Sequence, residues 1–247
     1  MHNLIHHPTR HEIDVFVWHA RIGREGEVAK YLGKYGATIN EKDLNGMTAL
    51  MAVAGHGHRD MAELLLENGA LVDVKGHEGW TALLYAAVNK REDIIGLLLE
   101  NGSDINVKNF RGWTILMQVA HVVDNKDIAE LLVEKGAAIN EKNDTGKTAL
   151  MFAAENGNWA ATKLLLERGS DANAEDDTGR TALMYAREKR QNPNVVTLLE
   201  QWVEEQKRRE LTKQKAQVLD DTDFSKGLQH PIRRPRPFNV QRSQPKP

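Results

Sequence analysis

The chain has 247 residues, 40% of them apolar and 28% charged, with a formal net charge of −2 and no cysteine. That balance gives no global pull toward nucleic acid or anionic membrane, and it excludes disulfides and thiolate chemistry, which suits a reducing cytoplasm. No apolar run approaches the roughly 20 residues needed to span a bilayer, and Met1-His2-Asn3-Leu4-Ile5-His6-His7-Pro8 lacks an apolar core of secretory length.

Residues 1–11 carry His2, His6, His7 and His11. Imidazoles are common metal ligands. Only His2/His6 and His7/His11 have a helical spacing, Pro8 argues against one continuous helix, and no cysteine completes a ligand set. This stretch is expected to be a flexible, solvated leader with no metal site. Residues 12–42 hold a degenerate version of the unit that follows. Val15-Phe16-Val17-Trp18-His19-Ala20 replaces the first half of that unit, while Val28, Leu32 and Gly36-Ala37 keep the second.

From residue 43 the chain repeats itself. Asn45-Gly46-Met47-Thr48-Ala49-Leu50-Met51 returns as Gly79-Trp80-Thr81-Ala82-Leu83-Leu84, Gly112-Trp113-Thr114-Ile115-Leu116-Met117, Gly146-Lys147-Thr148-Ala149-Leu150-Met151 and Gly179-Arg180-Thr181-Ala182-Leu183-Met184. The anchor glycines at 46, 79, 112, 146 and 179 are spaced by 33, 33, 34 and 33 residues. Leu64-Leu65-Leu66-Glu67-Asn68-Gly69-Ala70 recurs in the same way at 97–103, 131–137 and 164–170. Self-similarity at a fixed period marks stacked supersecondary units.

Regular units are expected at 43–75, 76–108, 109–142 and 143–175. Small residues such as Ala86-Ala87 and Ala153-Ala154 let first helices approach closely. Leucines such as Leu64, Leu65, Leu97 and Leu98 form the apolar stripe of the second helix. Glycines such as Gly69 suit the left-handed end of that helix. The unit at 109–142 holds one extra residue in His121-Val122-Val123-Asp124-Asn125, where the turn between helices falls. The last unit, 176–205, has a lengthened turn at Gln191-Asn192-Pro193-Asn194 and ends as a cap, with Trp202 folded over the exposed core. Terminal repeats differ because one flank faces water.

Beyond it, 206–229 reads as a charged helical extension fraying to a linker, and 230–247 as a disordered Pro/Arg-rich tail without an acid. Arg233, Arg234 and Arg236 stand among prolines at 231, 235, 237, 245 and 247, so no strict Pro-x-x-Pro spacing occurs. They offer a short linear motif or a phosphate contact, against the default of a solvated tail.

Read as a turn, a short helix, a reversal, a longer helix ending at glycine and an extended arm, the unit resembles the ankyrin repeat over residues 12 to 205. The resemblance implies an all-α ankyrin-repeat solenoid of about six repeats, capped at both ends. One departure is uniform: the family's Thr-Pro-Leu-His reads Thr-Ala-Leu-Met here, or a near variant of it. Losing that histidine removes its hydrogen bonding, so the hairpin is expected to lean on packing.

No group of converging polar residues breaks the repeat pattern, as catalysis would require. Glu67, Glu100, Glu134 and Glu167 recur at one repeat position, like surface residues. Gly146-Lys147-Thr148 resembles the end of a phosphate-cradling loop, but Glu141 stands where its upstream glycine is needed. The chain is therefore expected to be no enzyme and to need no cofactor.

In the ankyrin family the partner surface is the concave face, made by hairpin tips and the exposed side of the first helix. Along the stack the residue after each anchor glycine is Met47, Trp80, Trp113, Lys147 and Arg180. Neighbouring tips add His77, Glu78, Phe110 and Arg111, and the inner helices with their turns add His56, Asn89 and His121. Tryptophan and arginine are frequent binding hot spots. The expectation is an exposed Trp80/Trp113 pair at the centre of a protein interface, with Lys147 and Arg180 engaging an acidic segment. Each tryptophan could equally stiffen the row by packing on the next hairpin, and the two roles are compatible. The implied function is non-catalytic protein binding by a monomeric adaptor, scaffold or inhibitor. The alternatives are a nucleic-acid or ribonucleoprotein-associated factor docking through the tail, and a host-directed effector or enzyme regulator. The last follows from the resemblance, which extends to bacterial and parasite proteins.

Overall fold

The computed structural model describes residues 7–122, 125–189 and 192–227, with side chains through 216 except that of Ala37. Twelve α-helices follow one another: α1 Arg10–Arg21, α2 Glu25–Tyr35, α3 Ala49–His56, α4 Arg59–Glu67, α5 Ala82–Val88, α6 Glu92–Glu100, α7 Ile115–His121, α8 Lys126–Glu134, α9 Ala149–Glu155, α10 Trp159–Glu167, α11 Ala182–Lys189 and α12 Pro193–Gly227. Two single 3-10 turns lie at Gly36–Thr38 and His77–Gly79, and the described residues hold no strand. The all-helical class is as the sequence implied.

Odd-numbered helices stack on one another: α1 on α3, α3 on α5, α5 on α7, α7 on α9 and α9 on α11. Such a helix has a neighbour on each side, so it must be apolar nearly all round. In α3, Ala49, Leu50, Met51, Ala52, Val53 and Ala54 are all buried. Even-numbered helices back this inner row and bury one stripe, Met61, Ala62 and Leu65 in α4, or Ile128, Ala129 and Leu132 in α8. The core is one continuous layer from Phe16 to Leu199. Continuity between neighbours is what lets a stack of small units hold together without a central core.

The inner helices begin at the repeated threonines. Thr48 Oγ1 accepts from the Met51 amide at 3.2 Å, and the Met51 thioether accepts from the Thr48 amide at 3.5 Å. Thr114 and Met117 repeat this exchange at 3.3 and 3.4 Å. The methionine of Thr-Ala-Leu-Met thus closes a sulfur version of the capping box. The departure from Thr-Pro-Leu-His leaves some polar closure at these two hairpins, beside the packing they were expected to lean on. Thr81 and Thr148 lack the exchange, and their buried hydroxyls find no partner among the described residues.

Polar ladders tie the first five units to one another. Asn40 accepts from the Leu71 amide at 2.8 Å, and Asp73 accepts from the Asp104 amide at 2.9 Å. Asn106 accepts from the Ala138 amide at 2.8 Å, and Asn140 from the Asp171 amide at 3.0 Å. A parallel lysine ladder donates forward, from Lys75 to the Lys108 carbonyl, Lys108 to Lys142 and Lys142 to Glu175, at 2.8, 3.0 and 2.7 Å.

Contacts divide the chain into two units after Val203. In the first, Trp202 and Val203 pack against the core, as a carboxy-terminal cap should. In the second, the helical residues 204–216 are nearly all exposed and carry i, i+4 pairs between Glu204 and Arg208 and between Glu205 and Arg209. No helix among the described residues is long and apolar enough to cross a membrane.

Candidate protein-binding groove

Four of the five hairpin tips are shaped by a side chain three residues before the anchor glycine. One oxygen of Asp43, Asn109, Asn143 or Asp176 accepts from the amides two and four residues on, as when Asn109 takes Arg111 at 2.9 Å and Trp113 at 3.0 Å. Asn143 takes Thr145 at 3.1 Å and Lys147 at 2.8 Å, and Asp176 takes Thr178 and Arg180, both at 2.9 Å. Carboxylate and amide side chains suit this local bonding. The second regular hairpin has Gly76 in that place. It closes instead as the 3-10 turn His77–Gly79, with Glu78 at φ 57°.

Successive tips then bond to each other. Phe110 donates its amide to the Glu78 carbonyl at 3.0 Å, Asp144 to Arg111 at 3.4 Å and Asp177 to Thr145 at 3.2 Å. This rail holds the tips against the inner helices and fixes one side of an open groove of about 700 Å³. Phe110, Trp113, Phe152 and Tyr185 supply its apolar surface, with Lys147, Asp144 and Asp177 among its polar groups.

The wall of the groove is built from one repeat reaching into the next. The Trp113 and Phe152 ring centroids are 4.0 Å apart, and His121 completes the triangle at 5.5 and 5.9 Å. Lys147 Nζ lies 4.0 Å from the Tyr185 ring centroid and 5.4 Å from that of Phe152, while the Arg180 guanidinium lies 4.3 Å from Tyr185. Tyr185 in turn donates its hydroxyl to Asp176. Burial pushes the Asp176 carboxyl up, but bonds from Tyr185, Arg180 and Thr178 outweigh that and hold it well below the usual carboxylate range. Burial and the bond to Asp176 raise the Tyr185 phenol.

Of the residues singled out in the sequence, Phe110, Arg111, Trp113 and Lys147 line this groove together. Arg180 borders it over Tyr185, and His121 supports the wall from behind Trp113. Met47 is half-buried at the amino end of the row, where its sulfur meets Arg21 at 3.4 Å. Trp80 packs on Tyr85 of its own unit at 5.3 Å. His77 and Glu78 are exposed on their tip, and Glu78 pairs with Arg111 at 3.2 Å. His56 and Asn89 sit exposed at inner-helix ends and bond back to the Ala52 and Tyr85 carbonyls at 2.9 and 2.8 Å. Arg233, Arg234 and Arg236 lie outside the described residues.

Two expectations are corrected. The tryptophans do not form an exposed pair: both are half-buried, each spent on a neighbouring aromatic ring, and the exposed tip aromatic is Phe110 at 65%. The cations are not free either. Lys147 pairs with Glu155 at 2.9 Å and Arg180 with Glu188. Sequence reasoning also missed Phe152 and Tyr185. Their signal was positional, since both stand six residues after an anchor glycine, as Tyr85 does, where Ala52 and Gln118 occur in the other units.

A smaller cleft of about 320 Å³ lies between α1 and α2, beside the stacked rings of Phe16 and Tyr31. Among the described residues, no group of three or more histidines or carboxylates could hold a metal ion.

A family model described as ankyrin repeats (3 copies) matches residues 16–109 and again residues 111–208. No curated protein matches the chain.

Proposed function

The chain belongs to the ankyrin-repeat family, and from that premise we propose that it is a non-catalytic adaptor, scaffold or inhibitor that binds another protein in the concave groove. Ankyrin repeats generally serve as protein-binding modules and are typically non-catalytic. Six helix pairs, α1/α2 to α11/α12, support reading residues 12–205 as one binding domain of six repeats. A monomer in the cytoplasm is the setting this reading assumes.

One observation carries it. Phe110 stands 65% exposed at the mouth of a groove whose wall, Trp113, Phe152 and Tyr185, is held by a tilted ring contact and by cations that sit over the rings and are themselves ion-paired. A rigid apolar wall loses little freedom on binding, and an exposed aromatic beside it gains most from being covered. Phe110, Arg111 and Trp113 are the proposed centre of the contact, flanked by Trp80 and Lys147.

The test uses wild type, a Phe110→Ala/Arg111→Ala variant and a 1–229 truncation. A partner captured from native lysate is purified, then titrated against each by calorimetry. Binding should weaken at least about tenfold for the tip variant, the size expected of a hot-spot loss, and survive in the truncation. Equal affinity for wild type and tip variant sinks the groove reading. Loss only on truncation moves the function to residues 230–247.

A further inference from the structure

Resting on that groove reading, we propose that the occupant is a basic extended segment: an apolar anchor followed by arginine or lysine at intervals of about three residues. Each hairpin presents one outermost tip residue, two before its anchor glycine. Along the stack this row reads Leu44, His77, Phe110, Asp144 and Asp177, all exposed. Leu44 is 75% exposed and Phe110 65%. The row thus carries apolar side chains at Leu44 and Phe110 and carboxylates at its end.

Charge pairing decides which partner sign fits. Arg111, Lys147 and Arg180 each already hold a carboxylate, Glu78, Glu155 and Glu188 respectively. An acidic segment would have to displace these partners. Among the described residues, the Asp144 and Asp177 carboxylates have neither an ion pair nor a hydrogen bond. Their placement is fixed rather than loose. Each carboxylate lies over the anchor glycine of the preceding hairpin, in the space a Cβ at Gly112 or Gly146 would fill, and each amide is bonded to the rail. Two fixed, unmatched carboxylates beside aromatic faces favour a cationic side chain twice over, by charge and by ring quadrupole.

Spacing follows from the stack. Packed helices lie about 8–10 Å apart, and an extended chain advances about 3.3 Å per residue. One repeat therefore corresponds to about three residues of an extended ligand. An apolar side chain over Phe110 would place cations three and six residues away over Asp144 and Asp177.

The experiment uses the full chain and two fluorescein-labelled peptides, Leu-Ser-Gly-Arg-Ser-Gly-Arg and its glutamate counterpart Leu-Ser-Gly-Glu-Ser-Gly-Glu, read by fluorescence anisotropy at low salt. The arginine peptide should bind at least about tenfold tighter, and the preference should disappear in Asp144→Asn/Asp177→Asn. A Glu67→Gln/Glu100→Gln variant changes net charge equally on exposed, remote outer-helix ends and should keep it. If both charge variants lose the preference alike, only net charge was sensed and the inference is overturned. Tighter binding of the glutamate peptide that is weakened by Phe110→Ala overturns the basic partner but leaves the groove standing. Binding of neither peptide also overturns the inference, while the groove itself is judged by the partner titration above.

Discussion

The Trp113 indole and the Phe152 ring meet across the boundary between two units, centroids 4.0 Å apart and planes at 41°. His121 packs edge-on against both, and its Nδ1 stands 2.7 Å from the Asn156 amide nitrogen. Trp113 is therefore a tie between repeats as well as a groove wall. Truncating a large buried aromatic costs about 3–5 kcal/mol, and Trp113 is half-buried, so Trp113→Ala should cost about 2 kcal/mol. Phe110→Ala, on an exposed tip, should stay within about 0.5 kcal/mol. Urea midpoints of the two variants test this. Equal shifts would mean that the stacking carries no stability.

Asn140 bridges units by a different chemistry. Its Nδ2 donates to the Gly169 carbonyl at 3.1 Å while its Oδ1 accepts from the Asp171 amide at 3.0 Å. Asn140→Ala should destabilise by about 1 kcal/mol, the net worth of ordinary hydrogen bonds at an accessible site. Asn140→Asp keeps only the acceptor, the role Asp73 fills two rungs earlier, and should cost roughly half as much. Asn101→Ala removes a bond to Leu97 within its own helix, and should not loosen the repeat boundary. Hydrogen exchange of the Asp171 amide separates the cases, since only Asn140→Ala, which removes the oxygen that amide donates to, should accelerate it.

Gly69 and Gly146 both have positive φ, +90° and +76°, but for different neighbours. A Cβ at Gly69 would meet nothing within 4 Å, whereas one at Gly146 would lie 2.6 Å from the Asp177 amide nitrogen. Gly69→Ala should carry only the left-handed backbone penalty of about 1–2 kcal/mol. Gly146→Ala should cost more and shift Asp177, because the obstacle is backbone. Thermal midpoints should fall in that order, and the reverse order would refute the tip-to-tip rail.

The contrast between Thr114 and Thr148 gives a third comparison of like with like. Thr114 Oγ1 accepts from the Met117 amide at 3.3 Å, while the buried Thr148 hydroxyl has no partner among the described residues. Thr114→Val should destabilise by about 1 kcal/mol, the usual value of a helix cap. Thr148→Val exchanges an unsatisfied hydroxyl for a methyl and should be neutral or slightly stabilising. Chemical denaturation of both variants checks the sign.

Much of this architecture was legible because a repeat states its rule several times. The glycine spacing and the leucine stripes placed the helices, since Gly46 and Leu65 are answered by equivalents one period away. The site was less legible, because it depends on where side chains end rather than where they begin. Lys147 and Arg180 read as free cations until Glu155 and Glu188, eight residues further on in each case, are seen to fold back on them. Trp80 and Trp113 look alike in sequence, yet one packs within its unit and the other across a boundary, because the residue six after the next glycine is Gln118 in one case and Phe152 in the other. The inter-repeat ladder of Asn40, Asp73, Asn106 and Asn140 was periodic too, but polar periodicity alone does not say which backbone group is bonded.

Glu12 sets the behaviour of the amino-terminal cap in acid. Its carboxylate accepts from the Tyr35 hydroxyl at 2.6 Å, the Thr9 amide and hydroxyl at 2.9 Å each, and Lys34 at 3.2 Å. With the Tyr35 bond as the main cause, its pKa is lowered from 4.5 to about 2. A carboxyl whose folded pKa lies below its unfolded value adds stability that is fully present above the unfolded value, and that is lost as pH falls through the folded one. The window is therefore pH 4.5 down to about 2. Glu12→Gln should lower the denaturation midpoint by a constant amount at neutral pH, and the gap to wild type should close steadily below pH 4.5. Tyr35→Phe removes the largest cause and should make the acid limb of the midpoint curve shallower. A gap that stays constant down to pH 3 would show that the carboxylate does not hold the α1/α2 pair.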